Sequence, residues 1–331
     1  MSKSILIKLA RRIGVLCVLG VAAGSAAMAS AQAQEYPNKP IRVIVPYGAG
    51  QATDLMCRVF LEQLKTVLKQ SIVIENRPGA ATNIGAAFVA KAPPDGYTLL
   101  CTGNATSVAN PLLYENMGFD PDKDLTPITA VAATGFLLLA GSEYKDRSLQ
   151  DLIAKARTSP QPLLVGLAST TATVIYGMVQ EAAKIPLSRV PYTGGNTGLF
   201  PDLMRGETNL VIEAMPSAMG LMQGQNVTPL AVTLPTRSKL LPNVPTFREA
   251  GLDVTLVGWN GFYAPSGLPP EILAQLSRAA IEALNNPAVA KGFEPIASVP
   301  MPTTPDELRK ITLEDREKWR PMVKLLNLKA N

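Results

Sequence analysis

The sequence predicts an α/β fold built from two successive sets of strand–helix units. Short apolar, β-type runs alternate with helical patterns along most of the chain. Turns rich in glycine or hydroxyl residues repeatedly join the end of a strand to the start of a helix. A second set of units begins near Phe136, after the first has run its course. Units in this order imply mainly parallel sheets.

In the first set, Ile41 to Val45 is an apolar strand broken by Pro46. The turn Gly48-Ala49-Gly50-Gln51-Ala52 follows, with Thr53 and Asp54 supplying N-cap character. Leu55, Met56, Val59, Phe60, Leu64, Val67 and Leu68 then recur at helical spacing. Ile72 to Ile74 reads as a strand, Asn83 to Lys91 as a helix and Tyr97 to Cys101 as a strand. In the second set, Leu137 to Ala140 is a strand, Ser148 starts a helix, and Leu163 to Val165 is a strand leading through Ser169-Thr170-Thr171 into another helix. Arg189 and Val190 are strand-like, Gly194-Gly195-Asn196 opens a helix, and Asn209 to Ile212 and Leu230 to Val232 are strands. The last third predicts helices from Pro270 and from Thr304-Pro305-Asp306-Glu307, a start combining a cap, a first-turn proline and acids. Leu308, Ile311, Trp319 and Val323 share one face of that helix, and Pro321 predicts a kink.

The first 33 residues read as a secretory leader, outside the fold. Lys3, Lys8, Arg11 and Arg12 precede an uncharged apolar run from Ile13 to Ala29, and Ala29-Ser30-Ala31 and Ala31-Gln32-Ala33 both fit a small-x-small cleavage site. The expected location is therefore the periplasm. The whole chain carries 31 basic and 26 acidic residues. Without the four basic residues of the leader, 27 against 26 remain, and no basic stripe suggests nucleic acid. Of the cysteines, Cys57 falls in a predicted helix and Cys101 at a strand end, a placement that permits a bridge without indicating one.

The chain has no histidine, which removes the usual general base and the commonest zinc ligand. No cysteine or carboxylate cluster has metal-ligand spacing, so neither a metal nor another cofactor is expected, and the chain reads as a non-enzyme. Ser169 sits between a strand and a helix, yet no Gly-x-Ser-x-Gly surrounds it. The main alternative is an NAD-binding oxidoreductase of Rossmann type, because Gly48-x-Gly50 follows a strand and Glu75 ends the next one. Thr53 stands at the third glycine position, and Pro46 breaks the approach.

The binding candidates are the strand-to-helix turns. Free N–H groups and the helix dipole attract anions there, and small residues let a ligand approach the backbone. Tyr47, Gly48, Ala49, Gly50, Gln51 and Asp54 form the first turn, Ser169, Thr170 and Thr171 the second, and Gly194, Gly195 and Asn196 the third. Three such turns facing one cleft would trap a carboxylate without arginine. Thr102 and Asn104 lie in a polar loop after a strand, open to ligand contact or plain solvation. Glu213, at a strand end, would repel a second carboxylate but accept from an amine or hydroxyl. Trp259 and Phe262 read as core or hinge packing.

Tyr36-Pro37-Asn38-Lys39-Pro40-Ile41-Arg42-Val43-Ile44-Val45-Pro46-Tyr47 is the first of several motifs in a familiar order. Others are Glu75-Asn76-Arg77-Pro78-Gly79-Ala80, Ala90-Lys91-Ala92-Pro93-Pro94-Asp95-Gly96-Tyr97-Thr98-Leu99, Val190-Pro191-Tyr192, Met215-Pro216-Ser217-Ala218 and Leu241-Pro242-Asn243-Val244-Pro245-Thr246. With these the chain resembles the extracytoplasmic receptors of tripartite tricarboxylate transporters, the Bug receptors, over nearly its whole length after the leader. The resemblance implies a two-lobe fold like type II periplasmic binding proteins with the ligand in the cleft. Lobe 1 would comprise residues 34–136 and 258–331, and lobe 2 residues 137–257. It also implies integral-membrane transporter subunits as partners and a small organic carboxylate as ligand. The ligand loops depart from the family pattern: Gln51 dilutes the first glycine cluster, the stretch Gly166 to Val174 lacks the frequent histidine, and Glu213 stands where Asp or Asn is frequent.

Overall fold

The computed structural model describes residues 36–144, 147–192, 195–223 and 227–325, so the leader and Gly194 lie outside the described residues. Lys39–Asn331 form one compact unit, distinct from Met1–Asn38. In chain order the elements are β1 (Ile41–Val45), α1 (Ala52–Leu68), β2 (Ile72–Asn76), α2 (Asn83–Ala90), β3 (Thr98–Gly103), α3 (Asn110–Leu113) and β4 (Leu125–Thr134). Then come β5 (Phe136–Ala140), α4 (Leu149–Thr158), β6 (Leu163–Leu167), α5 (Thr170–Ala183), β7 (Leu187–Pro191), α6 (Asn196–Arg205), β8 (Leu210–Ala214), α7 (Met215–Met222) and β9 (Thr228–Val232). The chain ends with β10 (Gly258–Pro265), α8 (Pro270–Asn285), α9 (Pro287–Phe293), β11 (Ser298–Pro300) and α10 (Pro305–Leu325).

The strands form two sheets, ordered β11-β4-β10-β3-β1-β2 and β7-β6-β8-β5-β9. The first holds strands from both ends of the chain, and the second only strands from its middle. Each has a parallel portion, β3-β1-β2 and β7-β6-β8. Each also has antiparallel partners, so the sheets are mixed rather than mainly parallel. The difference lies in strands that link the sheets. β4 runs straight into β5 with only Gly135 between them, and β10 returns antiparallel to both β3 and β4. Thr233 ties the two crossings together: its hydroxyl accepts from the Phe136 N–H at 3.0 Å and donates to the Leu256 carbonyl at 2.6 Å.

Sequence periodicity did not reveal β4 or β10. β4 mixes Thr, Pro and Ala, and β10 carries Gly, Asn and Pro among its aromatics, yet nearly every residue of both is buried. A strand covered on both faces loses the alternation that marks a half-exposed one. α1 shows the opposite case. Met56, Cys57, Phe60, Leu61 and Leu64 form its buried face, and Phe60 meets Phe262 of β10 edge-to-face with ring centroids 5.3 Å apart. Phe262 is thus core, as expected. The expected N-cap shifts by two residues: Gln51 holds the cap position, and Thr53 and Asp54 lie within the first turn.

Cys57 of α1 and Cys101 of β3 form a disulfide across a separation of 44 residues. Sequence spacing did not indicate it, because the approach depends on α1 folding back onto its own sheet. The second sheet packs around Leu137, Leu139, Leu199, Leu203, Val211, Met215 and Val232. In α10, Leu308, Trp319 and Val323 are buried and Ile311 is half-buried. Pro321 lies inside α10, which runs unbroken from Pro305 to Leu325. The Trp259 indole donates to Asp315 of that helix at 2.8 Å. Among the described residues no helix is long and apolar enough to cross a membrane.

Candidate functional site

Two adjoining chambers lie between residues of the two sheets. The outer one is about 610 Å³, in the range of small-molecule sites. Its walls include Gly48 and Gln51 before α1, Ser169 and Thr170 before and in α5, and Gly195 before α6. The three strand-to-helix turns singled out in the sequence therefore share one chamber. Arg189 is its one charged lining residue among the described residues, and no acid lines it. The inner chamber is about 50 Å³, room for one small group, and is lined by Asn104, Thr134, Thr171, Glu213, Trp259 and Asn260 among others. Tyr47, Gln51, Ala168 and Ser169 border both chambers.

The first turn is rigidly held. Gly48 N–H donates to Gln51 Oε1 at 2.8 Å, which fixes the glutamine across the turn. Gly195 faces it from the second sheet's side, where a Cβ would sit 2.5 Å from Gln51 Nε2. Gly195 also adopts φ 70° and ψ −144°, open in practice to glycine alone. Among the described residues no side chain caps α1 or α6, so their first-turn N–H groups keep the partial positive charge that attracts anions. α5 differs: the Ser169 hydroxyl accepts from the Ala172 N–H at 3.1 Å and so acts partly as an ordinary cap.

Several sequence candidates stand apart from both chambers. Asp54 lines neither, because its carboxylate is occupied within the turn by Gly50 N–H, Arg58 and Asn76 at 2.8–2.9 Å. Burial opposes its ionisation, but those hydrogen bonds outweigh it and hold its pKa below the usual carboxylate value. Asp54 thus positions the turn. Ala49 and Gly50 are exposed and line neither chamber. Asn196 opens α6 with a buried Oδ1 lacking a partner among the described residues, and also lines neither. Thr102 is buried behind the site, hydrogen-bonded to Thr106 at 2.6 Å. Burial raises the pKa of the Tyr47 hydroxyl, against hydrogen bonds from Thr53, Thr102, Gly103 and Thr106, so the phenol is anchored at its tip. Gly103 leaves the space for it: a Cβ there would lie 2.7 Å from the Tyr47 hydroxyl oxygen. Val174 is core.

Glu213 lines the inner chamber without a salt bridge among the described residues. Its Oε1 accepts the Ala214 N–H at 2.9 Å. Burial pushes its pKa up to about 7. Thr171 Oγ1 donates to Asn104 Oδ1 at 3.4 Å, a long bond between the segments that follow β6 of one sheet and β3 of the other. Sequence reasoning missed Asn260, Trp259 and Arg189 as lining residues. The signal for Asn260 was a lone amide within the apolar run of β10, next to an irregularity in the ladder at Asn260/Gly261 that re-aims side chains.

Glu75, which the dinucleotide alternative needs for a ribose, is instead paired with both Arg42 and Arg77 and lines neither chamber. The comparisons with known proteins agree with a different family. BugT of Bordetella pertussis is 31% identical over 94% of this chain and 96% of its own. A Rhodopseudomonas palustris protein solved with adipate superposes with a TM-score of 0.84 at 29% identity, covering 88% of this chain and 98% of that one. MatC of the same organism, solved with malate, gives 0.79 at 27%, covering 87% and 100%. With residues 56–328 matching the tripartite tricarboxylate transporter family receptor, the chain belongs to that family of solute-binding receptors, with a two-lobe α/β fold and a ligand cleft between the lobes.

Proposed function

We propose that this receptor captures a small organic carboxylate in the outer chamber and delivers it to integral-membrane transporter subunits. The observation that carries this reading is the convergence of three helix-starting turns on a chamber with no acidic wall. Charge-assisted hydrogen bonds of about 1.5–3 kcal/mol each, three or four in number, reach micromolar affinity. The adipate and malate held by the two similar structures favour the same ligand class. Residues 34–136 with 258–331, and 137–257, are proposed as the lobes that close on the ligand, after export under residues 1–33 as leader. The ligand leaves unaltered, since the chain has no histidine for general-base chemistry.

A thermal-shift screen against carboxylates, with their amides and uncharged sugars alongside, tests this. Ligand at 100 times its dissociation constant should stabilise the protein by about 2.7 kcal/mol. Stabilisation by the amides or sugars with none by any carboxylate would overturn the carboxylate reading, and recovery of chemically changed ligand would overturn binding without turnover. Replacing Thr171 by Val should weaken ligand binding by about 1–3 kcal/mol through the unmet partner in the inner wall. Unchanged affinity by calorimetry would remove Thr171 from the site.

A further inference from the structure

The inner chamber contains more hydrogen-bonding capacity than the protein satisfies. Asn260 is 1% exposed, and neither its Oδ1 nor its Nδ2 has a partner among the described residues. Asn104 is 3% exposed; its Oδ1 accepts from Thr171, while its Nδ2 has no partner among the described residues. Glu213 is 7% exposed and lies on the same chamber with no cation paired to it among the described residues. Buried polar atoms are rarely left without partners, and two such side chains beside the Glu213 carboxyl, around one void of about 50 Å³, describe a receptacle for a small polar group. The polarity is specific. Glu213 and Asn260 Oδ1 present acceptors, and Asn104 and Asn260 Nδ2 present donors. A second carboxylate offers only acceptors and is repelled by Glu213 once that carboxyl is ionised. A methylene satisfies none of them. A substituent that donates satisfies the acceptors, while the two amide nitrogens remain for its own oxygen or for the adjoining carboxylate.

We propose that the inner chamber selects carboxylates bearing a hydrogen-bond-donating substituent, a hydroxyl or an ammonium, near the carboxylate held at the turns, with Glu213 and Asn260 as specificity-determining residues. The inference rests on the carboxylate reading of the outer chamber. Placement near the carboxylate follows from the shared walls, since Tyr47, Gln51 and Ser169 border both spaces. Burial disfavours the ionised form of Glu213, so that form gains most from a donor brought by the ligand.

Titration calorimetry with the purified receptor tests this on matched sets: succinate, malate and aspartate; propionate and lactate; 3-phenylpropionate and 3-phenyllactate. In the set that binds, the donor-bearing member should bind at least about tenfold more tightly than its unsubstituted counterpart, the effect of one or two unmet buried hydrogen bonds. Malate against aspartate tells a hydroxyl from an ammonium. Glu213→Met and Asn260→Leu, each checked for folding by thermal melt, should reduce that preference to about twofold or less while the unsubstituted acid still binds. Equal affinity for substituted and unsubstituted acids in the unaltered receptor would overturn the proposal and assign the chamber to water. So would a full preference surviving in either folded variant. If no acid in any set binds, the carboxylate reading itself fails, and the inference falls with it.

Discussion

Removing the Cys57–Cys101 bridge should lower the unfolding free energy by about 4 kcal/mol, from the chain entropy returned to the unfolded state by opening a loop of this length. The cysteines are separated by 44 residues, enclosing β2 and α2, and both are fully buried. The variant of choice is Cys57→Ala with Cys101→Ala, since alanine leaves no buried hydroxyl in the α1–sheet contact. Its denaturant midpoint should fall well below that of the oxidised protein. The unaltered protein, denatured in reductant, should approach the variant's midpoint. Coincident midpoints for oxidised protein and double variant would show that the loop contributes no constraint. Because Cys57 belongs to the helix that follows the first binding turn, weakened turn rigidity should accompany the loss. Ligand affinity should therefore fall in the folded variant as well.

Glu213→Gln should stabilise the ligand-free protein at alkaline pH by about 3 kcal/mol, with the gain vanishing below about pH 4.5. The carboxyl titrates near 7 in the folded chain, against an ordinary value of 4.5, because burial disfavours its charge. The folded state therefore binds this proton more tightly than the unfolded state. Its contribution to stability is fully present below the unfolded value and is lost as pH rises through about 7. Glutamine keeps the shape and carries no charge to desolvate, so its stability curve should lack that decline. Unfolding free energies of both proteins from pH 4 to 9 decide the matter. Parallel curves across that interval would mean that the carboxyl is solvated in the folded chain. A site that tolerates such a cost is consistent with a group kept for binding rather than for stability.

Legibility in the sequence followed the range of the interactions. α1 and α8 were readable because their buried faces recur every three to four residues. The start of α10 was readable because Thr304 and Glu307 cap each other within three residues, as the hydrogen bonds between them bear out. The turns at Gly48, Ser169 and Gly195 were readable as helix starts for the same local reason. Asp54 was misread because its type and place suit a ligand contact as well as a turn brace. Only Arg58 and Asn76, the latter 22 residues on, reveal the brace.

The sequence by itself determined most of the order of strands and helices, though not β4 or β10, together with the three anion-favouring turns and the family, all of which depend on local periodicity and contiguous motifs. The tertiary structure alone decided that the sheets are mixed, that Cys57 reaches Cys101, and that Asn104, Glu213 and Asn260 line one small chamber. The physical reason is common to all three. Each joins segments far apart in the chain, through strands buried on both faces or side chains aimed by an irregular ladder, and such pairings leave no periodic trace in the residues that make them.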